Sequence, residues 1–169
     1  MRAPRQKMSR HGFTLLEMVI VVVIIGILSS MAVGGWKTIS TKMRSHSAIA
    51  DLAMQLRRAR SDAMARSRYS GFVIDLTGKR YMRFVDQESG GSRYMWDSGD
   101  QTLTSWQALD NALVIDSSWC GQTSSGKLSV VFDPQGNAQA GLYLRAKAGT
   151  QVQELSVLPI PGTVKLKRN

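Results

Sequence analysis

Gly12-Phe13-Thr14-Leu15-Leu16-Glu17 stands behind a short basic leader and opens an apolar run that continues to Val33. One acid, Glu17, is planted near the start of that run. A carboxylate inside a membrane-length segment costs roughly 2.5–3.5 kcal/mol on insertion scales unless it meets a partner, so such a residue points to function. Residues 13–33 contain no Lys, Arg or His to pair with it. The remaining source of a cation is an amino terminus made by cutting the chain after Gly12.

The order of the segments supports that cut. In an ordinary secretory signal, cleavage follows the apolar stretch at small residues and discards it. Here Arg2, Arg5, Lys7 and Arg10 run up to Gly12, and Ser29-Ser30-Met31-Ala32 is the nearest approach to a small-residue site at the far end. Cleavage after Gly12 removes a basic peptide and leaves the apolar helix on the mature chain. As a helix, residues 13–33 cover roughly 30 Å, enough for one bilayer crossing. The basic flank places the amino terminus in the cytoplasm and the bulk of the chain across the membrane.

This arrangement resembles the class III leader and cleavage site of type IV pilins and of the pseudopilins of type II secretion. The resemblance implies that residues 1–12 are a leader removed by a prepilin peptidase/methyltransferase, with Gly12 its last residue. Phe13 becomes the mature first residue, methylated on its amine. Glu17 becomes the assembly residue, pairing with the amine of a neighbouring subunit. Many pilins carry a helix-bending proline about where Gly34-Gly35 stands, so a bend or local melting here would rest on glycine flexibility.

The leader holds four of the 22 Lys and Arg and none of the 12 Asp and Glu, leaving 18 basic against 12 acidic side chains and a mature net charge of +6. A basic excess fits solvated surface charge, or anionic partners such as DNA, acidic lipid or an acidic subunit. Cys120 is the only cysteine, so no internal disulfide forms and stability has to come from the core. Beside Trp119, it reads as a small buried apolar residue.

Beyond Gly34-Gly35 the pattern becomes amphipathic. Trp36, Ile39, Met43, His46, Ile49, Leu52, Ala53, Leu56, Ala59 and Ala63 recur at steps of three or four, predicting that one helix continues through residues 36–68 with a single inward stripe. His46, on that stripe, reads as a residue at the core boundary. Lys42, Arg44, Arg57, Arg58 and Arg60 fall largely off the stripe. From Gly71 the period shifts to two. Residues 71–76 and 80–85 flank Thr77-Gly78-Lys79 as a hairpin, and further short strands are expected at 112–115, 127–132, 142–146, 154–158 and 163–166. Residues 86–107 read as a long loop with one strand near Tyr94 to Trp96.

A long helix whose amphipathic half packs on an antiparallel sheet is an α+β arrangement, with residues 71–169 as an extracytoplasmic β-rich domain behind a transmembrane segment at 13–35. Within the pilin-like group the chain resembles the GspH/FimT family. The resemblance is carried by the helix segment around Leu56, Arg57, Ala59, Arg60, Ser61 and Ala63, the Phe132-Asp133-Pro134-Gln135-Gly136 turn, and the Pro161-Gly162-Thr163-Val164-Lys165 strand. It implies a minor type II secretion pseudopilin at or near the tip of a pseudopilus anchored in the inner membrane. Its partners would be the other pseudopilins or pilins of the same fibre. The alternative is a minor type IV pilin priming a pilus, with DNA uptake as one use.

Some FimT-like proteins bind DNA through a carboxy-terminal Gly-Arg-x-Arg motif. Thr163 and Lys165 replace those two arginines here, so the DNA expectation rests on the charge of Lys165, Lys167 and Arg168 alone. An enzyme is not expected. No nucleophile–base motif, phosphate loop or metal-ligand spacing occurs, and neither a cofactor nor a small-molecule substrate is implied. Asp75, Asp86, Asp97, Asp100 and Asp116 are scattered at turns and strand ends, where solvated roles are usual. Asp97, Asp100 and Asp133 form no compact oxygen-ligand series.

Overall fold

The computed structural model describes residues 14–87, 94–124, 126–148 and 151–168. Thr14 precedes a helix, α1 (Leu15–Arg66). Ten strands follow: β1 (Ser70–Asp75), β2 (Arg80–Val85), β3 (Gln101–Thr102), β4 (Gln107–Ala108), β5 (Val114–Cys120), β6 (Thr123–Ser124), β7 (Lys127–Phe132), β8 (Leu142–Ala148), β9 (Gln151–Val157) and β10 (Val164–Arg168). Contacts divide the chain into two compact units within α1, Met1–Ile39 and Ser40–Asn169.

In the first unit, every described side chain of residues 15–30 is exposed, as in Leu15 at 83% and Val22 at 67%. That stretch covers roughly 24 Å of helix at 1.5 Å per residue. Among the described residues, no helix is long and apolar enough to cross a membrane. The expected span overruns these limits at both ends, because Phe13 and the side chains of residues 31–35 lie outside the description. Helical backbone continues through Gly34 and Gly35.

The second unit is α+β, as the change of period predicts. All the strand pairings are antiparallel. One sheet runs β3-β2-β1-β7-β6, with β4 also on β2, and the other runs β10-β9-β8-β5. Ile49, Leu52, Ala53, Leu56, Ala59 and Ala63 of α1 join Phe72, Ile74, Phe132, Leu144, Leu155 and Val164 in one core fed by both sheets. Each large apolar side chain buried there contributes roughly 1.5–3 kcal/mol. The expected stripe is therefore right from Ile49 onward. Trp36, Ile39 and Met43 are instead 75%, 56% and 65% exposed. Within the second unit, full burial begins at Ser45, and Met43 only lines an open cavity with Tyr81, Ala108 and Leu109.

β1 lies between β2 and β7 and is buried along its whole length, so it shows no face to water and no alternation in burial. Gly71 is required there, since a Cβ would stand 2.4 Å from the Phe84 ring. Val73, Met82, Phe84 and Val131 face away from α1 into a second core, covered by Tyr69, Tyr94, Trp96 and Trp106. Residues 94–96 thus form no strand, correcting that expectation. Their aromatic rings supply the lid over the sheet instead, with Trp96 edge-on to Trp106 at 5.6 Å and Lys127 Nζ 4.3 Å from the Trp96 ring centre. β5 starts at Val114 rather than Ala112 and runs on to Cys120, because it pairs with β8 through Leu142.

Candidate functional site

Glu17 occupies the first turn of α1 and is exposed. Its backbone N–H donates to the Thr14 hydroxyl oxygen at 3.2 Å, and the Met18 N–H donates to the Thr14 carbonyl at 3.2 Å. Thr14 therefore caps the helix, with Glu17 at the third helical position. That is the spacing of a capping box, in which the acid also meets the positive end of the helix dipole. This local use of Thr14-Leu15-Leu16-Glu17 was missed in the sequence reading, although Thr-x-x-Glu ahead of an apolar run is its signal. Gly12 and Phe13, the expected cleavage pair, lie outside the described residues.

The basic carboxy-terminal residues do not converge. All three belong to the edge strand β10, where Lys165 and Lys167 share one face, with Lys167 opposite Glu154. Arg168 alternates to the other face and lines a cavity of about 320 Å3 with His46, Gln151 and Val152. His46 Nε2 lies 2.7 Å from Gln151 Oε1, which makes it a half-buried residue at the core boundary, as its place on the stripe predicts.

The acids serve the backbone. Asp75 is only 7% exposed and accepts from Gly78 N–H at 2.7 Å and Arg80 Nε at 3.1 Å. The Gly78 bond and then the Arg80 guanidinium hold its carboxyl below the usual range against the opposing effect of burial. Asp86, also 7% exposed, accepts from Tyr94 N–H at 2.9 Å. These two correct the expectation of solvated acids, because each is buried and accepts a backbone N–H that needs a partner. Asp100 accepts from Gln87 and Asp97 N–H, and burial raises its carboxyl pKa. Asp133 closes the next turn by accepting from Gln135 and Asn137 N–H. Among the described residues, no group of three or more His, Cys, Asp or Glu is placed to hold a metal ion. Cys120 is a free, buried thiol donating to the Ser129 carbonyl at 3.1 Å, and burial pushes its pKa up.

Three separate segments of the sequence meet at one point. Arg60 Nε on α1 donates to the Gly136 carbonyl at 2.9 Å, and a Cβ at Gly162 would stand 2.1 Å from that same oxygen. Gly136 and Gly162 both have positive φ, of 84° and 68°. Asp62 on α1 is ion-paired with Arg83 of β2, and Asp51 accepts from the Tyr81 hydroxyl at 2.5 Å. These polar ties fix the helix against β2 and against the turn that holds Gly136.

This α+β architecture, a long helix laid on antiparallel sheets behind an apolar amino-terminal stretch, defines a pilin-like protein. The chain matches the prokaryotic N-terminal methylation motif over residues 7–33 and the model of the type II transport protein GspH over residues 48–158. It belongs to the GspH family of pilin-like proteins. It is 30% identical over 132 residues to the pilin-like protein PilA1 of Thermus thermophilus, covering 76% of this chain and 80% of that one. Its fold is similar to the minor pseudopilin EpsH of the type 2 secretion system of Vibrio cholerae (TM-score 0.51, 15% identity, 73% of this chain and 96% of that one). It is likewise similar to the type IV minor pilin FimU of Pseudomonas aeruginosa (TM-score 0.50, 17% identity, 72% and 91%).

Proposed function

We propose that this protein is a minor pseudopilin of a type II secretion system, held in the inner membrane by residues 13–35 and assembled at or near the tip of a pseudopilus. The observation that carries this reading is the presence on one chain of an N-terminal methylation motif at 7–33 and a GspH region at 48–158. A prepilin peptidase cuts after Gly12 and methylates Phe13. The new amine then supplies the cation that the Glu17 carboxylate lacks, and the pairing sets the axial offset of subunits leaving the membrane. Residues 71–169 form the extracytoplasmic domain.

The likeness to FimU supports a second reading, a minor type IV pilin priming pilus assembly. Both readings share the amino-terminal chemistry and differ in the fibre. The test is mass spectrometry of the mature amino terminus, followed by a Glu17→Val variant in the native host. The expected result is a chain beginning with N-methylated Phe13, and a variant that is still cleaved but no longer extracted into the fibre. Loss of exoprotein release identifies secretion, and loss of piliation identifies the pilus. An intact leader in a host with active peptidase, or normal extraction of the variant, overturns the proposal.

A further inference from the structure

The β10-β9-β8-β5 sheet ends in two edges of different character. β10 carries Lys165, Lys167 and Arg168, and clustered cations are a usual guard against strand addition. β5 holds no Lys, Arg or Pro, and its exposed side chains include Val114 at 58% and Trp119 at 60%. Among the described residues, β5 pairs only with β8. Among the described residues, no strand pairs with its opposite edge, although its Cys120 end lies against β7 through the Ser129 carbonyl.

A groove runs along this strand. It holds about 440 Å3 and is lined by Leu76, Lys79, Leu109, Leu113, Val114 and Ile115. Ser117 and Ser118 also reach it. Ser118 stands opposite Leu144, which is 1% exposed, so Ser118 belongs to the inner layer of the sheet, yet it is exposed. Cover of the inner layer thus thins along β5, which buries Cys120 but leaves Ser118 exposed. The register shift between Ile115 and Ser117 turns β5 locally at the same place. A free strand edge beside an apolar groove is the arrangement that accepts an added strand, with backbone bonds giving affinity and the groove taking alternate side chains.

Charge selects the occupant. The two acids lining the groove are already neutralised: Asp110 by Arg44 at 3.2 Å, and Asp116 by Lys147 at 2.8 Å with Arg145 at 4.0 Å. Lys79, exposed on the hairpin turn, adds a fourth cation to a set in which three cations already face two acids. A second copy would bring the same positive rim against itself. We infer that β5 receives an extended segment of a partner protein with alternating apolar side chains and acidic residues, added as a further strand of the sheet. This goes beyond the proposed fibre role and holds for either fibre.

The test uses the full chain in detergent micelles and an acetylated, amidated octapeptide alternating Val or Ile with Glu or Asp. Residue-resolved hydrogen–deuterium exchange should show peptide-dependent protection of amides in β5 and none in β10. Lys79→Asp, at an exposed turn position with φ of 46° that Asp tolerates, should weaken binding of the acidic peptide about fivefold. It should also strengthen binding of the same peptide with Lys in place of its acids. Val114→Asp should weaken acidic-peptide binding without changing the exchange of the core strand β1. Protection confined to β10 or absent from β5, or binding indifferent to both substitutions, overturns the inference. Concentration-dependent protection of β5 without peptide overturns it in favour of a second copy.

Discussion

Arg60 on α1 holds the carbonyl of Gly136 at 2.9 Å, in a turn reached only 76 residues later in the chain. Gly162 packs against that oxygen so closely that any side chain would collide with it. Gly162→Ala combines this collision with a left-handed backbone and should destabilise the domain by about 3 kcal/mol or more. Arg60→Met leaves the carbonyl without its donor and should cost about 1–3 kcal/mol. Urea unfolding of both variants and their double mutant should show costs that do not add, because both act on one oxygen.

The helix stripe predicts a gradient. Leu56, fully buried, should lose about 2–5 kcal/mol on substitution by Ala, whereas Met43→Ala at 65% exposure should change stability by less than about 0.5 kcal/mol. Thermal or urea denaturation of the two variants separates these outcomes.

Acid should weaken the domain partly through Asp75. The Gly78 N–H and the Arg80 guanidinium hold its folded pKa below the usual carboxylate range, so the ionised form is the one favoured by the native structure. That contribution is fully present above the unfolded value of about 3.9 and is lost as pH falls through the folded one. Asp75→Asn should be less stable than the parent at neutral pH. Its stability should also fall less between about pH 5 and pH 2, as read from the urea midpoint across that range.

Cys120 should behave as a packing residue. Burial raises its thiol pKa, and its Sγ is engaged with the Ser129 carbonyl. An aromatic disulfide reagent at pH 8 should leave the native thiol unmodified over minutes and react at once in denaturant. Cys120→Ala should retain the fold with a cost of about 1 kcal/mol. Rapid modification of the native protein would place the thiol at the surface and contradict its packing role.

Much of the fold is legible from period alone. The stripe from Ile49 to Ala63 and the alternation of β9 reflect faces that are each buried on one side only, so local spacing reports them directly. β1 is legible as a strand but not as the central one, because burial on both faces erases alternation, and β3, β4 and β6, at two residues each, are too short to leave a pattern. Trp36, Ile39 and Met43 misled the reading because periodicity records an apolar face without recording what covers it. For the candidate site, Thr14 and Glu17 carry two readings in one spacing, a helix cap and an assembly acid, and only the cap is a local geometric matter.

The sequence by itself determined the amino-terminal plan: a basic stretch up to Gly12-Phe13, Glu17 in an apolar run, then an amphipathic helix before short strands. Those features lie within a few residues of one another, and their chemistry depends on order and spacing. Only the tertiary structure decided that Arg60, Gly136 and Gly162 share one point, that Asp75 and Asp86 are buried, and that Arg168 turns away from Lys165 and Lys167. It alone left β5 as the edge without Lys, Arg or Pro. Such relations join residues far apart in the chain, where many weak packing and pairing terms act together and no short stretch carries their sum.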